Sequence, residues 1–208
     1  FVLGGSAMLF ALIFWGPAAT SMVLLKASDL MRADLLVAVP LFVYMAFMLQ
    51  RSGIAEGLYN ALYAWFGGLP GGLAAGSVVG CTLIACMSGI STTGVLMMGL
   101  IGYPSMVKRG YDRRLVIGAV MAGGALGPLI PPSIIMIVYA LIADQSVGRL
   151  FLAGVLPGLL LAMLFIGYVL IRCWITPSLG PPVPKSERAT WAEKIDASKG
   201  VIFPVVLV

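Results

Sequence analysis

Histidine is absent from all 208 residues, and charged side chains make up only 10% of them. A soluble domain carries about 25% charged residues, and a chain of this length could not hide its 61% hydrophobic content from water. Without histidine, the commonest general base and metal ligand are missing. Cysteine is scarce as well. Cys81, Cys86 and Cys173 show no metal-ligand spacing, and the first two lie in an apolar run, where a thiol acts as a small hydrophobe. No acidic pair falls within an apolar run, and all five lysines lie in predicted loops. Neither a carboxylate pair nor a Ser–Lys dyad is then available for intramembrane catalysis. An enzyme is not expected.

What is abundant is long apolar sequence, which is what a bilayer requires of a spanning segment. The net charge of +5 therefore reports topology rather than affinity for nucleic acid, because Lys and Arg collect in loops that stay cytoplasmic. Phe1 is not an initiator methionine and Val208 falls inside a new apolar run. A fragment is expected, with further spans at least on the C-terminal side. No basic n-region precedes the first apolar run, so no cleavable signal peptide is expected.

The first apolar run, Phe1 to Leu25, can cross as a helix with a kink at Gly16-Pro17. A polar connection with Lys26, Asp29, Arg32 and Asp34 follows, then a short run from Leu35 to Gln50. Residues 54–66 place Ile54, Leu58, Leu62 and Trp65–Phe66 at helical spacing. That pattern suits an amphipathic helix at the membrane interface and, equally, a helix packed on other protein. Leu73 to Met87 and Val95 to Val107 are two apolar arms around Ser88-Gly89-Ile90-Ser91-Thr92-Thr93-Gly94. Each arm covers only ~20 Å of a ~30 Å hydrocarbon core. A re-entrant hairpin over residues 69–107 is predicted, its polar turn tolerated because it lies in protein or lines a wet cavity.

The run 115–143 is long enough to span but is interrupted from Gly123 to Ser133, where Pro128, Pro131 and Pro132 remove backbone donors. The helix must unwind there and restart. Residues 149–175 form a full span, 176–200 a Pro-rich charged loop, and 201–208 the start of another span. With the hairpin entering and leaving on one side, that face receives Arg51, Lys108, Arg109, Arg113, Arg114, Arg172, Lys185, Arg188, Lys194 and Lys199. The other receives Lys26, Arg32 and Arg149. Ten against three is a positive-inside bias, and it places the mouth of the hairpin on the cytoplasmic side. Treating the hairpin as a single crossing would divide the basic clusters and erase the bias.

Both interruptions then fall near the midplane. Unwound backbone frees carbonyl oxygens that suit a hard cation such as Na⁺, and the N-termini of half-helices offer N–H groups to a carboxylate. The expected substrate-binding set is Ser91, Thr92, Thr93, Pro131 and Ser133. Glycine and small hydroxyl residues also let helices pack closely, but two broken elements in one short chain point to a site. The tip has no charged residue and so no sign of a proton relay, which favours a metal cation as coupling ion. Asp112 reads as charge balance among four cations, and Asp144 as a capping or solvated residue.

Several stretches together resemble the large membrane subunit of tripartite ATP-independent periplasmic (TRAP) transporters. They are Ser88-Gly89, Gly94, Pro104, Lys108-Arg109-Gly110-Tyr111-Asp112, Gly127-Pro128-Leu129-Ile130-Pro131-Pro132-Ser133, and Phe151 to Leu160 with Pro157-Gly158. Val39-Pro40-Leu41-Phe42 and Ser52-Gly53-Ile54-Ala55 fit the same pattern, and the likeness runs in order from about Val39 to Leu160. The resemblance implies an all-α polytopic protein of the bacterial inner membrane, the first of two inverted repeats of an elevator-type transporter. Residues 1–66 would then be of scaffold type and 67–148 of transport type. It further implies Na⁺ coupling, a small membrane subunit, a periplasmic substrate-binding protein, and small carboxylates such as C4-dicarboxylates and sugar acids as substrates. The first Na⁺ site would draw on Ser88, Gly89, Gly124, Gly127 and Pro128. Many members of the family continue the tip as Ser-Gly-Ser-Ala with an acidic residue soon after. Here Ile90-Ser91-Thr92-Thr93-Gly94 stands in that stretch, which marks a distinct subgroup. An anion transporter that works without a binding protein is the nearest alternative, and a non-transporting membrane scaffold a more distant one.

Overall fold

A computed structural model describes residues 2–184, 189–191 and 193–197. The span expected at 201–208 lies outside the described residues, as do Lys185, Arg188 and Lys199 of the topology count. The described secondary structure is helical throughout, and the chain divides into two units, residues 1–40 and 41–208.

The first unit holds α1 (Val2–Trp15) and α2 (Ala18–Met31). They are separated at Gly16, whose φ of +63° no β-carbon favours, and at Pro17, which heads α2. Leu9, Phe10, Ile13 and Phe14 of α1 are exposed, as side chains meant for lipid would be. The expected polar connection is helical as far as Met31, Lys26 and Asp29 included. Isolated charges do not stop a helix in the absence of a cap or a proline.

α3 (Ala38–Arg51) has its first three residues in the first unit and the rest in the second, where it leads to α4 (Ile54–Phe66). Then come α5 (Gly72–Ser88), α6 (Ser91–Lys108), α7 (Arg113–Ala125), α8 (Ile134–Ile142) and α9 (Val147–Ile175). α5 is the hub. It is buried along its whole length save for half-buried Val79 and Leu83, and α4, α6, α7 and α9 pack around it. A helix apolar on every side has no face to give to solvent. α6 runs antiparallel to it through a stripe of Gly94, Met98, Gly102 and Met106, all buried at four-residue spacing. The Met98 side chain fills the space over Gly80.

α4 turns Leu58, Ala61 and Leu62 inward, so its apolar face is taken up by protein rather than lipid. Its Trp65 stays half-exposed, edge-on to Trp191 with their ring centroids 6.3 Å apart. Among the described residues, α9 is the one helix long and apolar enough to cross a membrane. Its small positions Gly154 and Gly158 are buried against Met136 and Ile130, while Leu152, Leu156, Leu160 and Leu164 are exposed.

The end of the bundle opposite the hairpin tip is closed by residues just after α9. Gly71 N–H donates to Gly180 O (2.8 Å), Asp112 N–H to Leu179 O (2.9 Å) and Val183 N–H to Gly67 O (2.9 Å). Tyr111, 3% exposed, accepts from Leu73 N–H at 3.4 Å, and burial pushes its hydroxyl up to about 12. Asp112 caps α7, its Oδ1 accepting from Arg114 N–H (2.9 Å) and Leu115 N–H (3.1 Å). Asp112, read from the sequence as charge balance, is also the cap of α7.

Gly53 and Gly71 both hold left-handed backbone, with φ of +74° and +70°. A β-carbon on Gly53 would meet nothing within 4 Å, whereas one on Gly71 would sit 2.7 Å from Cys173 Cβ. Gly53→Ala is expected to cost about 1 kcal/mol, the left-handed penalty alone. Gly71→Ala should cost a further ~1–3 kcal/mol from overpacking. Thermal unfolding of the purified protein in detergent would measure the difference, and equal losses would remove the packing argument.

Candidate functional site

The turn between α5 and α6 is tighter than the polar cluster suggests. Gly89 takes a left-handed conformation (φ +66°), its N–H donating to Cys86 O at 3.3 Å, and Ile90 is extended. Those two residues make the whole turn. Ser88, 1% exposed, is spent on shaping it. Its hydroxyl lies 3.2 Å from Ala85 O and 3.1 Å from Ile90 O, and accepts from Ile90 N–H at 3.4 Å.

Ser91, Thr92 and Thr93, expected in the turn, form the first turn of α6 instead. Ile90 brings no side-chain oxygen to this end. Among the described residues nothing accepts from the amides of Ser91, Thr92 and Thr93. Those unpaired donors, with the positive end of the helix dipole, suit an anion.

The second interruption runs from Leu126 to Ser133, three residues later than its expected start, because Gly123 and Gly124 remain in α7. α7 ends by tightening. Leu126 N–H donates to Gly123 O (3.3 Å) and Gly127 N–H to Gly124 O (3.2 Å), and Leu126 O then accepts from Leu129 and Ile130. Beyond it, among the described residues, no group donates to the carbonyls of residues 127–132. Pro128, Pro131 and Pro132 have no N–H to give, and the Pro131–Pro132 peptide is cis. Ser133, fully buried, ends the interruption as N-cap of α8, its Oγ accepting from Met136 N–H at 3.4 Å.

The two interruptions touch. A β-carbon built on Gly89 would lie 3.2 Å from Ile134 N and 3.5 Å from Pro132 O. One on Gly127 would lie 2.6 Å from Ala85 Cβ, and one on Gly124 would lie 3.2 Å from Ser91 O and collide with Val95. Ser88, Gly89, Ser91, Gly124, Gly127 and Ser133 are thereby gathered around one meeting point. Thr92 faces outward from α6, and Thr93, Pro128 and Pro131 are partly exposed beside it.

Thr82 belongs to this neighbourhood although it reads as part of an apolar run. Its buried hydroxyl donates to Val78 O at 2.7 Å and lies 3.4 Å from Gly123 O. The signal available for it was a hydroxyl in the middle of an apolar run, on a helix whose other hydroxyls are Ser77 and Ser88. Among the described residues no group of three His, Cys, Asp or Glu side chains could hold a metal. The chemistry on offer is backbone chemistry: carbonyl oxygens for a hard cation and amides for an anion.

Comparison with known proteins agrees with this architecture. The family model described as "Tripartite ATP-independent periplasmic transporter, DctM component" matches residues 1–208. The C4-dicarboxylate TRAP transporter large permease protein DctM of Vibrio cholerae is 38% identical over 173 residues, covering 83% of this chain and 37% of that protein. The ectoine/5-hydroxyectoine TRAP transporter large permease protein UehC of Ruegeria pomeroyi is 31% identical over 204 residues, 98% of this chain and 46% of that protein. The sialic acid TRAP transporter permease protein SiaT of Haemophilus influenzae is 33% identical over 174 residues, 83% of this chain and 28% of that protein. The chain thus spans less than half the length of each of these relatives. With the family model matched from end to end and this hairpin and interrupted helix in place, the chain belongs to the DctM component family of tripartite ATP-independent periplasmic transporters.

Proposed function

We propose that this chain carries the first cation and substrate half-site of a Na⁺-coupled transporter that takes small organic acids across the bacterial inner membrane. The observation that carries the reading is the contact between the Gly89–Ile90 turn and the interruption at residues 126–133. Na⁺ would bind among the free carbonyls of residues 127–132, close to Ser88, Gly89 and the Gly124–Gly127 turn. The substrate carboxylate would take the amides and hydroxyls of Ser91, Thr92 and Thr93, with Pro131 and Ser133 shaping the far wall.

Charge gives the coupling its physical reason. No Asp, Glu, Lys or Arg occurs between Gly72 and Val107 or between Leu115 and Ala143. A carboxylate entering such a place finds no side-chain cation, and an unpaired buried charge is costly. A Na⁺ bound first neutralises it. The partners are a small membrane subunit and a periplasmic binding protein that delivers the acid, and the motion is of elevator type, completed by a second, inverted repeat. The charge distribution supports several crossings with the hairpin mouth on the cytoplasmic side. An anion transporter working without a binding protein would use the same local physics, and dependence of uptake on that protein separates the two.

Uptake into proteoliposomes by the complete transporter is expected to require external Na⁺ together with the cognate binding protein. Uptake that continues undiminished in Na⁺-free buffer would sink the coupling. Gly89→Leu and Gly127→Leu should each abolish transport while membrane insertion is retained, since both side chains would separate the two interruptions. Insertion checked by protease accessibility, alongside normal uptake, would remove these positions from the site. Ser133→Ala should cost about 1 kcal/mol through loss of the α8 cap, read as a lower unfolding midpoint. An unchanged midpoint would argue against the capping role.

A further inference from the structure

We infer that a groove between α7 and α9, at the end away from the tip, is a binding site for an anionic phospholipid. The groove encloses about 610 Å³. Leu115 and Ala122 of α7 form one wall, and Phe165 and Val169 of α9 form the other. Both pairs repeat at helical spacing, so the groove follows the helix axes for ~10 Å. Gly118 leaves it open, since nothing lies within 4 Å of where its β-carbon would be.

Arg114 and Arg172 stand at one end of this apolar channel, both exposed. Neither is paired with a carboxylate among the described residues. Asp112 shares that end, but its Oδ1 is occupied by the amides of Arg114 and Leu115. Two guanidiniums against the single carboxylate of Asp112 leave that end net positive, and above a channel of alkyl walls they complement a molecule with an anionic head and a hydrocarbon tail.

The surroundings select lipid from the molecules that fit. The groove is bordered by α9, the helix long enough to cross the membrane, whose Leu164, Tyr168 and Ile171 are exposed along the same stretch. An acyl chain gains little by leaving its neighbours for an apolar groove, because both environments are hydrocarbon. Discrimination must then come from the head, where a phosphate with net negative charge meets the two arginines. A free organic acid would leave the alkyl walls unfilled.

The test uses the full-length transporter complex, extracted in mild detergent from membranes of known lipid composition, with co-purifying lipids measured by mass spectrometry. Phosphatidylglycerol or cardiolipin should be enriched severalfold over its share of the membrane. The double variant R114Q/R172Q should return it to that share. Lys108→Gln with Arg113→Gln, which removes two cations outside the groove, should leave the enrichment intact. Ala122→Leu narrows the channel, keeps both arginines, and should also lower retention, so it carries the test if the arginine variant fails to fold. Enrichment that survives R114Q/R172Q, or that falls equally with Lys108 and Arg113, would overturn the proposal. So would the absence of bound lipid in the wild type, which would mean that protein covers the groove, or displacement of the lipid by a small carboxylate.

Discussion

The second unit depends on helix backbones coming so close that a single methyl group would not fit between them. Gly94 presses on Cys81 O, Gly123 on Cys81 Cβ and Val78 O, and Gly127 on Ala85 Cβ, each within 2.8 Å of an added β-carbon. Within a bilayer, apolar area gives little reason for helices to associate, since lipid tails are as apolar as leucine. Close packing supplies the attraction instead, many weak dispersion contacts summed over a long interface. The counterpart on α5 is a row of small residues, Val78, Cys81, Thr82 and Ala85, which gives α6 and α7 a nearly flat surface.

That approach makes two broken helices tolerable. Backbone left without hydrogen bonds is costly in hydrocarbon, so the free carbonyls after Gly127 and the free amides at Ser91 need either protein or a polar ligand around them. The tight packing supplies one wall and sets the two sets of groups beside each other. Ser88 and Ser133 then do local work, one shaping the turn and the other capping α8. The Ser88 and Ser133 hydroxyls are thus engaged locally, and in the proposed site the free main-chain groups would act beside the hydroxyls of Ser91, Thr92 and Thr93.

The two interruptions were legible in the sequence because proline and glycine act through the backbone, in any surroundings. Their limits were not. Ser91 to Thr93 look like loop, but small hydroxyl residues are well suited to a first helical turn, where the amides have no helical partner anyway. Gly123 and Gly124 look like helix breakers, yet they stay helical because close contact with α5 and α6 demands the missing side chains. The amphipathic pattern of residues 54–66 identified a helix without saying what it faced, since lipid and protein accept the same stripe. The docking of residues 179–183 left no side-chain signature, being made by main-chain hydrogen bonds. Motif order and spacing carried the family, which local chemistry alone would not have separated from other anion transporters.

That docking has a mechanical consequence. The root of the hairpin, through Gly67 and Gly71, and the start of α7, through Asp112, are tied to one short strap of chain leaving α9. Shear between α5 and α7 would have to break the strap, whereas joint translation of all three would leave it untouched. α8 lies beyond the interruption and makes none of these bonds, so a shift of α8 would leave that end of the bundle laced.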